Sequence, residues 1–306
     1  MQNPRSNISV VVLLAIYNGE QWLHDQIVSI VAQKGVSVHI VASDDVSTDD
    51  SLKTLQSFGN ECIDMLPTGE RFGSASRNFF RLLREVDFTP FDYVAFSDQD
   101  DIWQPNKISR ALSVMKEFNV DAVSSDVEAF WPDGRRKLIK KSQRLCKWDY
   151  LFESAGPGCT YVMAKRLALD IQNVLRQHRS KTDAIALHDW FIYCYARSNS
   201  YRWHIDNMPN VLYRQHDSNE FGANAGWSAM KSRWGKINQG WYRNQIVQIA
   251  ALCGQSDVPP VRHIQRYRWY DRIVLALSAC TLRRRWRDRI ALAIALIVPA
   301  PSNSRM

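Results

Sequence analysis

The chain has 306 residues, 45% hydrophobic and 23% charged, proportions of an ordinary globular protein that exclude a disordered or fibrous one. Its net charge of +8 is unevenly placed: residues 223–306 carry fourteen Lys and Arg against three acids, so the remainder is a mildly acidic body of net charge −3. A basic tail of this kind asks for an anionic partner, a membrane surface or a nucleic acid. The six cysteines, Cys62, Cys146, Cys159, Cys194, Cys253 and Cys280, form no C-x-x-C pair. They are expected as reduced thiols in the cytoplasm, with neither a zinc site nor a disulfide framework. The polar stretch from Met1 to Asn7 runs straight into an apolar segment, so no signal peptide is expected. No apolar run approaches the roughly 20 residues that span a bilayer.

In chain order, residues 8–14 form a near-continuous apolar run, as in a strand buried on both faces of a parallel sheet. It leads to the turn signal Tyr17-Asn18-Gly19 and to a helix carrying Trp22, Leu23, Ile27, Ile30 and Val31 on one face. A second strand over 36–42 ends at Ser43-Asp44-Asp45, and the Ser47-Thr48-Asp49-Asp50 cluster can cap the helix after it. A short strand over 63–66 and a helix over 73–86 follow. Next comes the strand Tyr93-Val94-Ala95-Phe96, which ends abruptly in Asp98-Gln99-Asp100-Asp101. Pro105 stands where a helix begins, and Ile108, Ala111, Leu112, Met115 and Phe118 continue at helical spacing. Strand–helix alternation over 118 residues predicts an α/β fold: a Rossmann-like, doubly wound, mainly parallel sheet.

The alternation then loosens. Strands are expected over 120–130 and 137–139 around Pro132-Asp133-Gly134, and at 161–163 after Gly156-Pro157-Gly158-Cys159-Thr160. A helix covers 165–178, His188-Asp189-Trp190 opens another, and strands near 201–205 and 211–213 lead to Arg214-Gln215-His216. Beyond Gly222 the chain reads as helical and basic, with candidates over 232–253 and 263–282. The run Arg283 to Arg289 precedes the apolar residues 290–298, and Pro299 and Pro301 close it. That run is too short to span a bilayer but suits the headgroup layer; packing on the domain with solvated arginines is the alternative. No recognised nucleic-acid-binding module is present, so nucleic acid is not expected as a partner.

Three strands end in polar clusters: Tyr17-Asn18-Gly19-Glu20, Asp44-Asp45 and Asp98-Gln99-Asp100-Asp101. In an open α/β sheet such ends meet at one crevice. An isolated D-x-D-D is also compatible with a solvated helix-capping turn, and an isolated His-Asp pair with a helix N-cap. Together, the carboxylates suit nucleobase and ribose hydrogen bonds, and they meet a diphosphate only through a hard cation such as Mg²⁺ or Mn²⁺. The glycine-rich phosphate loops of dinucleotide- and ATP-binding proteins are absent.

These ordered motifs resemble glycosyltransferase family 2, with its GT-A fold, over roughly residues 8–222. Residues 16–19 resemble the family's first nucleotide-binding turn, and Asp44-Asp45-Val46-Ser47-Thr48-Asp49 its D-D-G-S-x-D segment. The resemblance implies that Tyr17, Asn18, Glu20, Asp44, Asp45, Asp98 and Gln99 bind the donor nucleotide, Asp44 at the base and Asp98 at the ribose. It implies that Asp100, with His216, holds the metal, and that Asp101 orients the other acids and faces the sugar. Gly158, Cys159, Thr160, His188 and Trp190 would line the donor-sugar and acceptor region. Asp189 would be the catalytic base, and Arg214, Gln215 and Asn219 would close a loop over the diphosphate. One departure is Val46 where the family has Gly; a β-branched residue resists φ > 0, so a different turn is expected there.

The whole is most similar to bacterial rhamnosyltransferase-like members, which build O-antigen and other surface polysaccharides. The implied enzyme is an inverting glycosyltransferase with a dTDP- or UDP-linked sugar donor and a lipid-linked saccharide acceptor, working peripherally on the inner face of the cell membrane. Its expected parts are a catalytic domain over 1–222, with a nucleotide-sugar half to about 118 and an acceptor half beyond, and a membrane-associating region over 223–306. A homo-oligomer is allowed. Two rival classes are a nucleotidyltransferase, disfavoured because residues 13–25 contain no Lys or Arg, and a non-catalytic membrane- or nucleic-acid-binding scaffold.

Overall fold

The computed structural model describes residues 8–59, 61–216 and 240–298. The opening apolar run is strand β1 (Ser9–Ile16), followed by α1 (Glu20–Val31), β2 (Ser37–Asp44), α2 (Ser51–Gln56), β3 (Ile63–Met65), α3 (Ala75–Glu85) and β4 (Tyr93–Ser97). Then come β5 (Ile102–Trp103), α4 (Lys107–Phe118), β6 (Ala122–Ser125), β7 (Val127–Phe130) and β8 (Arg136–Ile139). The second half holds β9 (Val162–Ala164), α5 (Lys165–Gln177), α6 (Arg179–Thr182), α7 (His188–Ser198), β10 (Trp203–Asp206) and β11 (Val211–Arg214). Among the described residues, five further helices follow: α8 (Trp241–Leu252), α9 (Pro259–Arg266), α10 (Trp269–Leu277), α11 (Ala279–Leu282) and α12 (Trp286–Ile297).

Seven strands form the main sheet in the order β10-β6-β9-β4-β1-β2-β3, in which β9 runs antiparallel to its neighbours and the other pairs are parallel. Alternation along β1 sends Val11, Leu13 and Ala15 into one hydrophobic layer, and Val10, Val12, Leu14 and Ile16 into the other. Burial on both faces explains why this strand reads as a continuous apolar run. β1, β2 and β4 lie side by side, so their carboxyl ends share one edge. A smaller sheet, β5-β11-β7-β8, pairs β11 antiparallel to β5, with Val211 opposite Trp103 and Leu212 opposite Ile102. That pairing brings Arg214-Gln215-His216 back onto the acids at the end of β4.

Two expectations are corrected. The helix predicted over 263–282 is three helices, because Tyr267 adopts φ +49° and ends α9. Asp271 restarts the next helix by accepting the Arg268 N–H at 3.1 Å and holding His263 Nδ1 at 2.7 Å. Val46, expected to reject a left-handed turn, adopts one at φ +60°. Such a conformation costs an L-residue on the order of 1–2 kcal/mol. Val46→Gly is therefore expected to raise stability by about 1 kcal/mol after the added freedom of the unfolded glycine is subtracted. The denaturation midpoint measures this, and an unchanged or lower midpoint would show the turn to be unstrained.

The C-terminal helices are continuous with the body. Ile246, Ile249, Val261, Ile264, Leu275, Leu292 and Leu296 belong to the same buried cluster as Val11, Phe79 and Phe191. The arginine run is not simply solvated. Arg284, 1% exposed at its side chain, donates to Asp149 Oδ2 at 2.8 Å and to the Ser154 carbonyl at 2.6 Å. Asp149 is fully buried and also holds Arg197 at 3.2 Å and the Tyr193 hydroxyl at 2.7 Å.

Candidate active site

The edge formed by β1, β2 and β4 is tied together by its own side chains. Gln99 accepts the Tyr17 N–H at 2.7 Å and donates to the Tyr17 carbonyl at 2.8 Å, joining the ends of β1 and β4. Gly19 lies beneath it, and a Cβ there would stand 2.5 Å from Gln99 Oε1 and displace that side chain. Asn18 accepts the Thr48 N–H at 2.8 Å, and Glu20 accepts the Asp50 N–H at 3.2 Å, locking the first turn to the segment after β2. Asp44 accepts both the hydroxyl and the N–H of Ser47, at 2.5 and 3.0 Å. Asp45 accepts the N–H groups of Phe72 and Gly73. Both carboxylates are buried. Asp45, Asn18, Glu20 and Gln99 thus hold the edge together, with Asn18 and Glu20 left exposed on it. Asp44, 1% exposed, is chiefly a turn-former as well. Tyr17 remains exposed, with Arg71 donating to its hydroxyl at 3.2 Å; Arg71 carries no signal in the sequence beyond its charge.

In the D-x-D-D segment the acids separate. Asp98 and Asp100 are half-buried, and Asp101 is fully buried. Asp101 accepts the Arg214 N–H at 3.2 Å. Burial, then the charges of Asp100 and Asp98, push its pKa well above the usual carboxylate range. Fully buried, it braces the turn. Asp100 Oδ2 lies 2.7 Å from His216 Nε2, and His216 stacks on Trp22 with ring centroids 4.0 Å apart. Arg214 donates to the Asp100 carbonyl at 2.8 Å, while Gln215 is buried and its backbone N–H donates to the Phe130 carbonyl at 2.9 Å. The Gln215 bond continues the pairing of β11 along β7. Asn219 lies outside the described residues.

Lys107, which reads in the sequence as a surface residue opening α4, is buried below these acids. Its Nζ stands 3.3 Å from the Trp103 ring centroid and has no hydrogen-bond partner among the described residues. Burial lowers its pKa to about 7, against the opposing charges of Cys159, Asp101 and Asp98. The side chains of Asp98, Asp101 and Cys159 offer ligand atoms within 4.8 Å of one another. The half-buried Asp100–His216 pair is more open than this cluster, two of whose three members are buried, and is the other candidate place for a metal. Its oxygen and imidazole donors suit Mn²⁺ and Mg²⁺.

The turn Gly158–Thr160 joins the acids to the second half of the site. Cys159 lies with Asp98 and Asp101, and a Cβ on Gly158 would stand 2.5 Å from His188 Nε2 and 3.4 Å from Asp189 Cβ. Gly158, Cys159 and Thr160 are all buried, so they form the floor between the two halves. His188 is half-buried, stacks on Phe79 with centroids 4.2 Å apart, and is held neutral by burial, which lowers its pKa to about 3. Asp189, half-buried in the first turn of α7, has its pKa raised by burial to about 6, against hydrogen bonds from Trp190 and Ser154 and the charge of Lys141. Trp190 is buried: its Nε1 donates to the Tyr150 carbonyl at 3.0 Å and its ring stacks on Tyr242. Ser154 and Lys141 carry no motif that marks them in the sequence.

Comparison with known proteins identifies the family and the fold. Residues 11–161 match the profile of Glycosyl transferase family 2. The dTDP-rhamnosyl transferase RfbG of Shigella flexneri is 41% identical over 290 residues, covering 93% of this chain and 99% of that protein. The UDP-Glc:alpha-D-GlcNAc-diphosphoundecaprenol beta-1,3-glucosyltransferase WfgD of Escherichia coli is 24% identical over 53% of this chain and 62% of its own length. Among solved structures, residues 1–349 of S. aureus TarS in complex with UDP-GlcNAc superpose with a TM-score of 0.57 at 12% identity, covering 94% of this chain and 87% of that one. The strand order, the acidic edge and the similarity to RfbG lead to one conclusion: the chain belongs to glycosyltransferase family 2 and has the GT-A fold.

Proposed function

We propose that the chain moves rhamnose from dTDP-rhamnose to a saccharide acceptor, lipid-linked, in the building of O-antigen or another surface polysaccharide. The observation that carries the transfer reading is the Gly158-Cys159 floor, with Asp98 and Asp101 against one residue and His188 and Asp189 against the next. The identity of 41% to RfbG supports the choice of sugar and nucleotide. The printed acceptor of WfgD supports a lipid diphosphate carrier. No described helix is long and apolar enough to cross a membrane, and peripheral attachment to the inner membrane face suits such an acceptor. We read residues 1–222 as the catalytic part and 223–306 as the part that meets the membrane.

In this reading Asp189 accepts the proton of an acceptor hydroxyl as its oxygen bonds to the anomeric carbon. The bond from that carbon to the diphosphate oxygen breaks on the opposite face, so the centre inverts without a covalent enzyme intermediate. Asp100 and His216 would hold a Mg²⁺ or Mn²⁺ ion, whose charge offsets that of the leaving diphosphate. Asp98 faces the ribose, Tyr17 borders the nucleotide, and Arg214 adds positive charge beside the acids.

Incubation with a panel of dTDP- and UDP-sugars and a polyprenyl-diphosphate saccharide, read by mass spectrometry, tests the proposal. A product gaining a deoxyhexose from dTDP-rhamnose supports it, and transfer from another donor alone rejects the sugar. Asp100→Ala is expected to remove metal-dependent donor binding. Calorimetry showing unchanged donor affinity in Mn²⁺ would reject the metal assignment.

A further inference from the structure

Among the described residues, ten of the twenty exposed large apolar side chains lie between Trp269 and Val298. Their spacing is helical. Trp269, Ile273 and Leu277 recur every fourth residue on α10, and Trp286, Ile290 and Ile297 share a face of α12. Trp269 is 73% exposed and Leu277 80%. The opposite faces of the two helices, through Leu275, Leu292 and Leu296, enter one buried cluster. The helices also touch each other, with Arg272 of α10 donating to the Leu296 carbonyl of α12 at 2.6 Å. Two neighbouring helices seated on a common core turn their outer faces away from it together. This apolar surface is not needed to hold the fold.

The charge around it has one sign. Arg266 and Arg268 stand just before α10, Arg285 and Arg287 flank the start of α12, and all four are exposed. The two acids between Pro259 and Val298 do not answer them: Asp271 is buried against His263, and Asp288 is half-buried. A symmetric dimer through this face would bring like-charged rims together, at a cost in energy. An anionic bilayer surface instead attracts the arginines while its headgroup layer takes the tryptophans and the aliphatic side chains.

We infer that the outer faces of α10 and α12 form one docking surface for an anionic lipid bilayer, with Trp269 and Trp286 seated at the headgroup level. This rests on the reading of a lipid-linked acceptor, and it enlarges the expected contact: α10, which precedes the arginine run, contributes as many exposed apolar side chains as α12 and its cap.

Flotation of the full chain with vesicles tests the inference without donor or acceptor, so its outcome is independent of which sugar is moved. Binding is expected to phosphatidylglycerol-containing vesicles and to weaken with salt, with little binding to pure phosphatidylcholine. The triple variant Trp269→Ser, Leu277→Ser and Ile290→Ser is expected to lower the partition coefficient about tenfold or more. Its donor hydrolysis in solution should equal that of the parent, which shows that the fold is intact. Unchanged flotation of the variant, or no binding of the parent to anionic vesicles, would overturn the assignment. So would sedimentation showing a dimer that the variant dissolves, since the surface would then belong to a second copy.

Discussion

Asp189→Asn is expected to keep its affinity for the nucleotide sugar and to lose transfer by about two to four orders of magnitude, the range general-base residues supply. The substitution preserves shape, and an amide oxygen can still accept the Trp190 N–H, which the carboxylate takes at 2.7 Å. It removes the proton acceptor. Calorimetry measures the first half of the expectation, and product formation the second. Near-normal turnover would take Asp189 out of the base role. The parent enzyme offers a matching test in pH. Because burial raises the Asp189 pKa to about 6, the carboxylate is the main form above that pH and is protonated below it. Activity should therefore fall about tenfold per unit as pH drops below about 6, where an ordinary aspartate would hold until about 4.

Arg284→Met should destabilise the protein by about 3 kcal/mol or more, the scale for removing one partner of a buried ion pair. The guanidinium lies against a fully buried carboxylate, Asp149, and also binds the Ser154 carbonyl. Without it Asp149 keeps Arg197 and the Tyr193 hydroxyl, which limits the loss. Urea unfolding gives the value, and a loss below about 1 kcal/mol would show that the contact is peripheral. Substituting Asp149 with Asn in the same background should cost less than it does in the parent, because the two side chains share one interaction. Arg284 also fixes the Ser154 carbonyl, four residues before the Gly158 that packs against His188 and Asp189, so Arg284→Met should slow transfer beyond its effect on the folded fraction. A truncation after residue 282 would remove Arg284 together with α12. Membrane attachment must therefore be probed by surface substitutions, not by deletion.

The legible part of this molecule is the part whose residues act near one another in sequence. Strands β1, β2 and β4 are visible because burial on both faces makes continuous apolar runs, and their acids are visible because they follow those runs directly. The hidden part depends on distance. Lys107 and Arg284 look like any other basic residue, and only folding sets one over Trp103 and the other against Asp149, 135 positions away. Asp101 and Trp190 belong to the right motifs but point into the protein, since a motif carries residue identity without direction. The broken helix at Tyr267 escaped for a simpler reason: tyrosine carries no turn signal, and its left-handed conformation depends on the restart at Asp271.

The Arg284 network also sets a schedule for the newly made chain. Asp189 and the acids of β4 are all synthesised well before Arg284, which follows Asp189 by 95 positions. At about 5–20 residues per second that interval lasts on the order of 5–20 seconds. During it the wall behind the base lacks the guanidinium that fixes Asp149 and Ser154. Synthesis of Arg284 is thus the event that supplies this support, and a chain released before it carries every motif of a transferase without that brace.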